Sequence, residues 1–287
     1  MQPAPAPGVR TISRGIRRLT LVISGLALVV GPLLYVLPDN TDTLFAWTIQ
    51  PPLTAAFLGG TYCTALAIEI LAARQRIWAL ARVFFPGMLT FTLTMLIATL
   101  LHLNKFHFEA PGGIARFTAW AWLIIYILAP PVMAGLLYMQ LRRPGGDPPR
   151  RSPLPPWFRG VLAVQAVIMV GLGAALFLAP DVTKGIWPWM LTPLTARAVG
   201  AWMLGLGAAV VQSYRENDWE RIQLAMVGDV VLGVLELGAV ARFSNTVPWA
   251  TPNAWVYMGA LVILVALGAY GLAQSRSLAI AVPAPPG

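Results

Sequence analysis

The chain has 287 residues, of which 57% are hydrophobic and 11% charged; its mean hydropathy is +0.70 and its formal net charge +9. A soluble domain carries about 25% charged residues, so there is too little charge here to clothe a water-soluble surface. A single cysteine, Cys63, excludes an intrachain disulfide and a cysteine-cluster metal centre.

Arg10, Arg14, Arg17 and Arg18 precede the first apolar run, Leu19–Leu37. The "YVLPDN" that closes it lacks a small-residue cleavage pattern, so the run is expected to remain as an uncleaved first helix. Seven further runs follow: Leu53–Ala73, Ile77–Leu103, Phe117–Leu141, Val161–Pro180, Leu194–Tyr214, Ile222–Val240 and Ala254–Gln274. About 20 apolar residues cross a bilayer core as a helix. The runs lack the alternation of barrel strands, and lipid admits only helices or closed barrels. The sequence therefore predicts an all-α integral membrane protein with eight transmembrane helices.

The eight runs fall into two sets of four. "WTIQPPLTAAFLGG" (47–60) returns as "WMLTPLTARAVGAW" (189–202). At an offset of 142, Arg17 meets Arg159, Gly31 meets Gly173, Pro38-Asp39 meets Pro180-Asp181 and Trp47 meets Trp189. After one gap at Pro51-Pro52, an offset of 141 pairs Gly59 with Gly200, Arg74 with Arg215, Trp78 with Trp219 and Gly87 with Gly228. Matches at loops and helix ends are hard to obtain by chance, and they imply an internal duplication. Four spans return the chain to its starting side, so the repeats are expected to be parallel in orientation. The expected division is an N-terminal tail (1–18), a first repeat (19–141), a Pro/Arg-rich linker (142–157), a second repeat (158–274) and a C-terminal tail (275–287). "QPAPAPG" and "PAPPG" read as mobile tail segments.

Charge orients the bundle. Lys105, Arg116, Lys184, Arg197 and Arg242 fall on one side and the other fifteen of the 20 basic residues on the opposite side. The positive-inside rule makes that richer side, with both termini and the linker, cytoplasmic. Basicity is thus an orientation signal with some attraction to lipid headgroups, and no nucleic-acid partner is expected. Eighteen arginines against two lysines suggest a GC-rich bacterial source, hence an inner membrane.

Trp47, Trp187 and Trp189 are read as interfacial anchors. Intramembrane charges are the candidates for function. Glu69 and Arg82 lie equally far from the turn at Gln75-Arg76, roughly 10 Å deep, and Arg197 and Glu236 are equidistant from the next such turn, about 29 Å along their helices. Both pairs are expected to be structural ion pairs, because a paired charge costs less in lipid than a lone one. Asp229 lies about 18 Å along its helix, without a basic residue at its depth. Thr90, Thr92, Thr94, Tyr126 and Gln165 are its candidate neutral partners, and it is the candidate for a ligand or ion path. His102 and His107, the only histidines, share one helix end and loop and make a poor haem or zinc site. Ala201, Gly205 and Ala209 are spaced for close helix contact.

No nucleophile elbow, phosphate loop or HExxH motif occurs. No catalytic residue, cofactor or metal is expected. Membrane lipids are the expected partners, with a membrane-protein partner or a second copy of the chain. The leading expectation is a non-enzymatic scaffold or accessory membrane subunit. A small-molecule or ion transporter with a site near Asp229 is the alternative, and a redox or lipid-processing enzyme stands last.

Overall fold

Prolines and hydroxyl side chains set where the long helices begin. A computed structural model of the protein describes residues 6–111, 113–183 and 185–281, with side chains up to Ser275. Lys184 and the tail residues 1–5 and 282–287, which carried parts of the sequence reading, lie outside the described residues. Among the described residues eight helices are long and apolar enough to cross a membrane: α1 (Arg14–Val36), α2 (Pro52–Arg74), α3 (Phe84–Leu101), α4 (Gly113–Leu141), α5 (Pro156–Leu178), α6 (Pro193–Glu216), α7 (Gln223–Arg242) and α8 (Pro252–Ala281). No strand occurs among the described residues, and 76% is helix.

The Ser13 hydroxyl caps α1 by accepting from the Ile16 N–H at 3.1 Å. Pro52, Pro156, Pro193 and Pro252 occupy first-turn positions, where a missing N–H costs nothing. Thr192 and Thr195 complete a reciprocal capping box on α6. The expected span Ile77–Leu103 is not one regular helix: a helical turn at Trp78–Ala81 is followed by a turn at Arg82 and Val83, both with helical backbone angles, before α3 starts. Pro86 supplies the physical reason, since it has no N–H to offer the Arg82 carbonyl one turn earlier.

The centre of the bundle is α2 and α6, its two most buried long helices, while α1, α4, α5 and α8 lie at the periphery. α1 packs along α2, and α5 along α6; α3 crosses to α6, and α7 crosses to α2. α8 lies extensively on α7, whereas α4 touches α3 over a smaller area. Glycines allow the close crossings. A Cβ at Gly59 would overlap the Tyr35 backbone nitrogen of α1, and one at Gly200 would come 2.9 Å from that of Phe177 in α5. Gly87 and Gly205 meet where α3 crosses α6, each within 3 Å of the other's carbonyl oxygen if given a Cβ, with Ala209 beside them.

At the end of the bundle that holds the linker, three segments are knitted together. The Arg10 N–H donates to the Gly146 carbonyl at 2.8 Å, Ile12 N–H to Arg76 at 3.0 Å, and Trp78 N–H to Arg10 at 3.0 Å. Gly8, placed by sequence in a mobile stretch, accepts from the Gly146 N–H at 2.8 Å. Buried Gln140 at the end of α4 accepts from Ser13 N–H and donates to the Thr11 carbonyl.

A four-charge cluster closes this end. The Arg82 guanidinium grips Glu216 through two nitrogens, Nη2 to Oε2 at 2.7 Å and Nε to Oε1, and its Nη1 lies 2.6 Å from Asp147 of the linker. Arg221 Nη1 reaches Glu216 at 3.1 Å and Asp147 at 3.7 Å. Gln212 and Arg150 add bonds to the Glu216 side chain and carbonyl. Two arginines therefore balance two carboxylates across both halves of the chain. The carboxylates Glu216 and Asp147 hold the Arg82 guanidinium above its ordinary pKa against the opposing effect of burial.

Candidate functional site

Helices α1, α2, α3, α4, α6 and α7 line a cavity of about 170 Å³. Its opening lies towards the outer surface of the bundle, where Leu26 of α1 is exposed and Ala129 of α4 is half-buried.

Aromatic side chains form one end. Phe91 and Trp202 are stacked with centroids 3.9 Å apart, Trp202 meets Tyr62 edge-on at 5.0 Å, and Trp122 tilts against Tyr126 at 4.5 Å. The Tyr62 and Tyr126 hydroxyls share a 2.7 Å hydrogen bond, and Trp122 Nε1 donates to Thr99 Oγ1 at 3.1 Å. Glu69 forms the other end. It is seven residues beyond Tyr62 on α2, which puts it on the same helix face about 10 Å away. Its side chain is 3% exposed, and its Oε2 is buried without a hydrogen-bond partner. Ser24 sits beside it, but the Ser24 hydroxyl donates to the Thr20 carbonyl at 2.8 Å. Glu69 is the only one of the charged residue types among the lining residues.

The ion pairs expected from depth do not form. Arg82 turns to Glu216 and Asp147, leaving Glu69 in the cavity. Equal depth does not fix which way a side chain turns about its helix, and Arg82 finds its partners on α6 and the linker. Arg197 does not meet Glu236 either; its Nη1 donates to His102 Nε2 at 2.6 Å. Glu236 is packed over Gly60, where a Cβ would lie 2.5 Å from Oε1, and both of its oxygens lack hydrogen-bond partners. Tyr257 of α8 faces it without completing a bond. Burial, then the charges of Arg197 and Lys105, push the His102 imidazole below its ordinary pKa, with Asp181 opposing. His107 is held by the Phe45 carbonyl at 2.9 Å and Thr48 Oγ1 at 3.1 Å.

Asp229 does not line the cavity. It is half-buried against Gly268 of α8, and Gln165 of α5 is the polar side chain facing it. Of the other expected partners, Thr92 and Thr94 bond within their own helix, and Tyr126 is taken by Tyr62. Trp47, Trp187 and Trp189 are buried within the protein, so they do not face a lipid interface. The loops at the end of the bundle opposite the linker fold inward: Trp47 packs on Phe45, Phe106 and Trp122, and Trp189 Nε1 donates to Thr54 Oγ1 at 3.0 Å.

Among the described residues no group of three His, Cys, Asp or Glu side chains is placed to hold a metal. Sequence reasoning missed the convergence of Tyr62, Phe91, Trp122, Tyr126 and Trp202, because their partners lie on different helices. One signal was present: Tyr62, Ala65 and Glu69 recur at helical spacing on one face of α2. No family model, curated protein or solved structure matches the chain.

Proposed function

We propose that the protein is a multi-pass membrane protein of a bacterial inner membrane that binds a small lipophilic molecule in the cavity between its helices, as a non-enzymatic accessory protein. The observation that carries this reading is the cavity itself, walled by apolar and aromatic side chains and opening beside Leu26 to the outer surface. A scaffold has no need of such a space, because close packing maximises stability. An engineered apolar cavity of about 150 Å³ accommodates benzene, which sets the size of a bound ring. A ligand dissolved in the bilayer would reach the site laterally between α1 and α4.

The reading includes two parallel four-helix repeats. It is supported by α1–α2 matching α5–α6 in packing, and by Gly59 and Gly200 serving corresponding close contacts. Both termini and the linker are assigned to the cytoplasm by the distribution of basic residues. Carriage of the ligand across the membrane is the second reading, favoured by Glu69 buried in the cavity wall; Asp229 does not line this cavity.

The test is a mass spectrum of compounds released from protein purified in gentle detergent, compared with an Ala65→Trp variant whose new side chain fills the cavity. A stoichiometric lipophilic compound in the wild type that disappears from the variant is expected. Identical spectra from two folded proteins would overturn the reading.

A further inference from the structure

Resting on the reading of the cavity as a ligand site, we infer that its ligand is a lipophilic organic cation, whose positive head sits at Glu69 and whose apolar body lies against the Phe91–Trp202 stack. A carboxylate withdrawn from water demands a counter-charge or a set of donors. Glu69 has no counter-charge and only the Ser24 hydroxyl, which also donates to Thr20, beside it as a donor: its Oε2 is unpartnered, and no basic residue lines the cavity.

The other acidic groups show the contrast. Glu216, equally buried, is met by Arg82, Arg221 and Gln212. Glu236 is unpartnered, but Gly60 and Tyr257 crowd it and it lines no cavity. Of these three buried glutamates, Glu69 alone combines an unpartnered oxygen with space beside it. The separation of about 10 Å between Glu69 and Tyr62 along α2 then fixes orientation, with charge at one end and an aromatic surface at the other. Aromatic walls accept a cation near them as well as an apolar body, so the site disfavours anions throughout.

The test uses benzyltrimethylammonium, whose charge is permanent, and neopentylbenzene, its neutral carbon isostere. The intact protein in phospholipid nanodiscs is titrated with each, and binding is read from the rise in melting temperature, corrected for partition into empty nanodiscs. The cation is expected to bind at least about tenfold more tightly than the isostere. Glu69→Gln should remove that preference while leaving the isostere's affinity within about twofold. Equal binding of the two probes by the wild type would overturn the cation assignment while leaving the cavity reading intact. Failure of both probes to bind would overturn the cavity reading together with this one. The wild-type comparison stands even if Glu69→Gln fails to fold.

Discussion

Replacing Arg82 by methionine tests the charge cluster that joins the two halves. The substitution keeps most of the aliphatic stem and removes a guanidinium bound to Glu216 and Asp147. Stranding one member of a buried ion pair costs about 3–5 kcal/mol. Arg221 remains on Glu216 at 3.1 Å, and the Arg82 side chain is 21% exposed, so the expected loss is smaller, about 2 kcal/mol. Glu216→Gln should cost a similar amount, because two arginines are then left to share Asp147 alone. In the double variant Arg221 and Asp147 still balance, so its loss should fall below the sum of the singles by about 1–2 kcal/mol. Unfolding in mixed micelles with rising SDS, followed by circular dichroism, gives the four free energies of the cycle. Coupling below about 0.5 kcal/mol would refute the argument that these charges act as one unit.

The remaining predictions concern separate regions. His102, with its pKa held below the ordinary value, binds protons less readily when folded than when unfolded; its contribution is complete above about pH 6.5 and is lost as pH falls through the folded value. The melting temperature should therefore decline between pH 7.5 and pH 5.5, and His102→Gln should flatten that decline; an unchanged slope would dissociate it from the Arg197 contact. Gly59→Ala should destabilise by about 1–3 kcal/mol by forcing α2 off α1, whereas Gly25→Ala, with open space around it, should be neutral or slightly stabilising in the same SDS titration. Tyr126→Phe removes the 2.7 Å bond to Tyr62 and should cost about 0.5–1.5 kcal/mol; a loss of nothing in the same titration would mean that the two hydroxyls do not pair. A cysteine at exposed Arg143, in a Cys63→Ala background, should resist membrane-impermeant thiol reagents in intact cells and react in permeabilised ones; ready labelling in intact cells would reverse the orientation.

Eight helices, their approximate limits and the non-helical linker were legible in the sequence, because each follows from a local property: the length of an apolar run, or a proline or glycine that ends it. Glycines at the closest crossings, such as Gly59 and Gly87, were visible as matches between the two sets of four runs. Which charges meet was not legible. Counting residues from a turn gives the depth of Arg82 but not its partners, which lie on α6 and the linker. Depth also says nothing of azimuth, which decides that Arg197 finds His102 while Glu236 lies over Gly60. Trp47 and Trp189 illustrate the same limit: an aromatic beside an outer loop suits a lipid interface or a protein core, and only the folding of that loop decides between them. The cavity at Glu69 depends on how α1, α2, α3, α4, α6 and α7 meet, a relation between surfaces distant in sequence. Apolar length and turn chemistry act within a few residues and so can be read along the chain; the pairing of charges and the shape of the binding space depend on how whole helices rotate against one another.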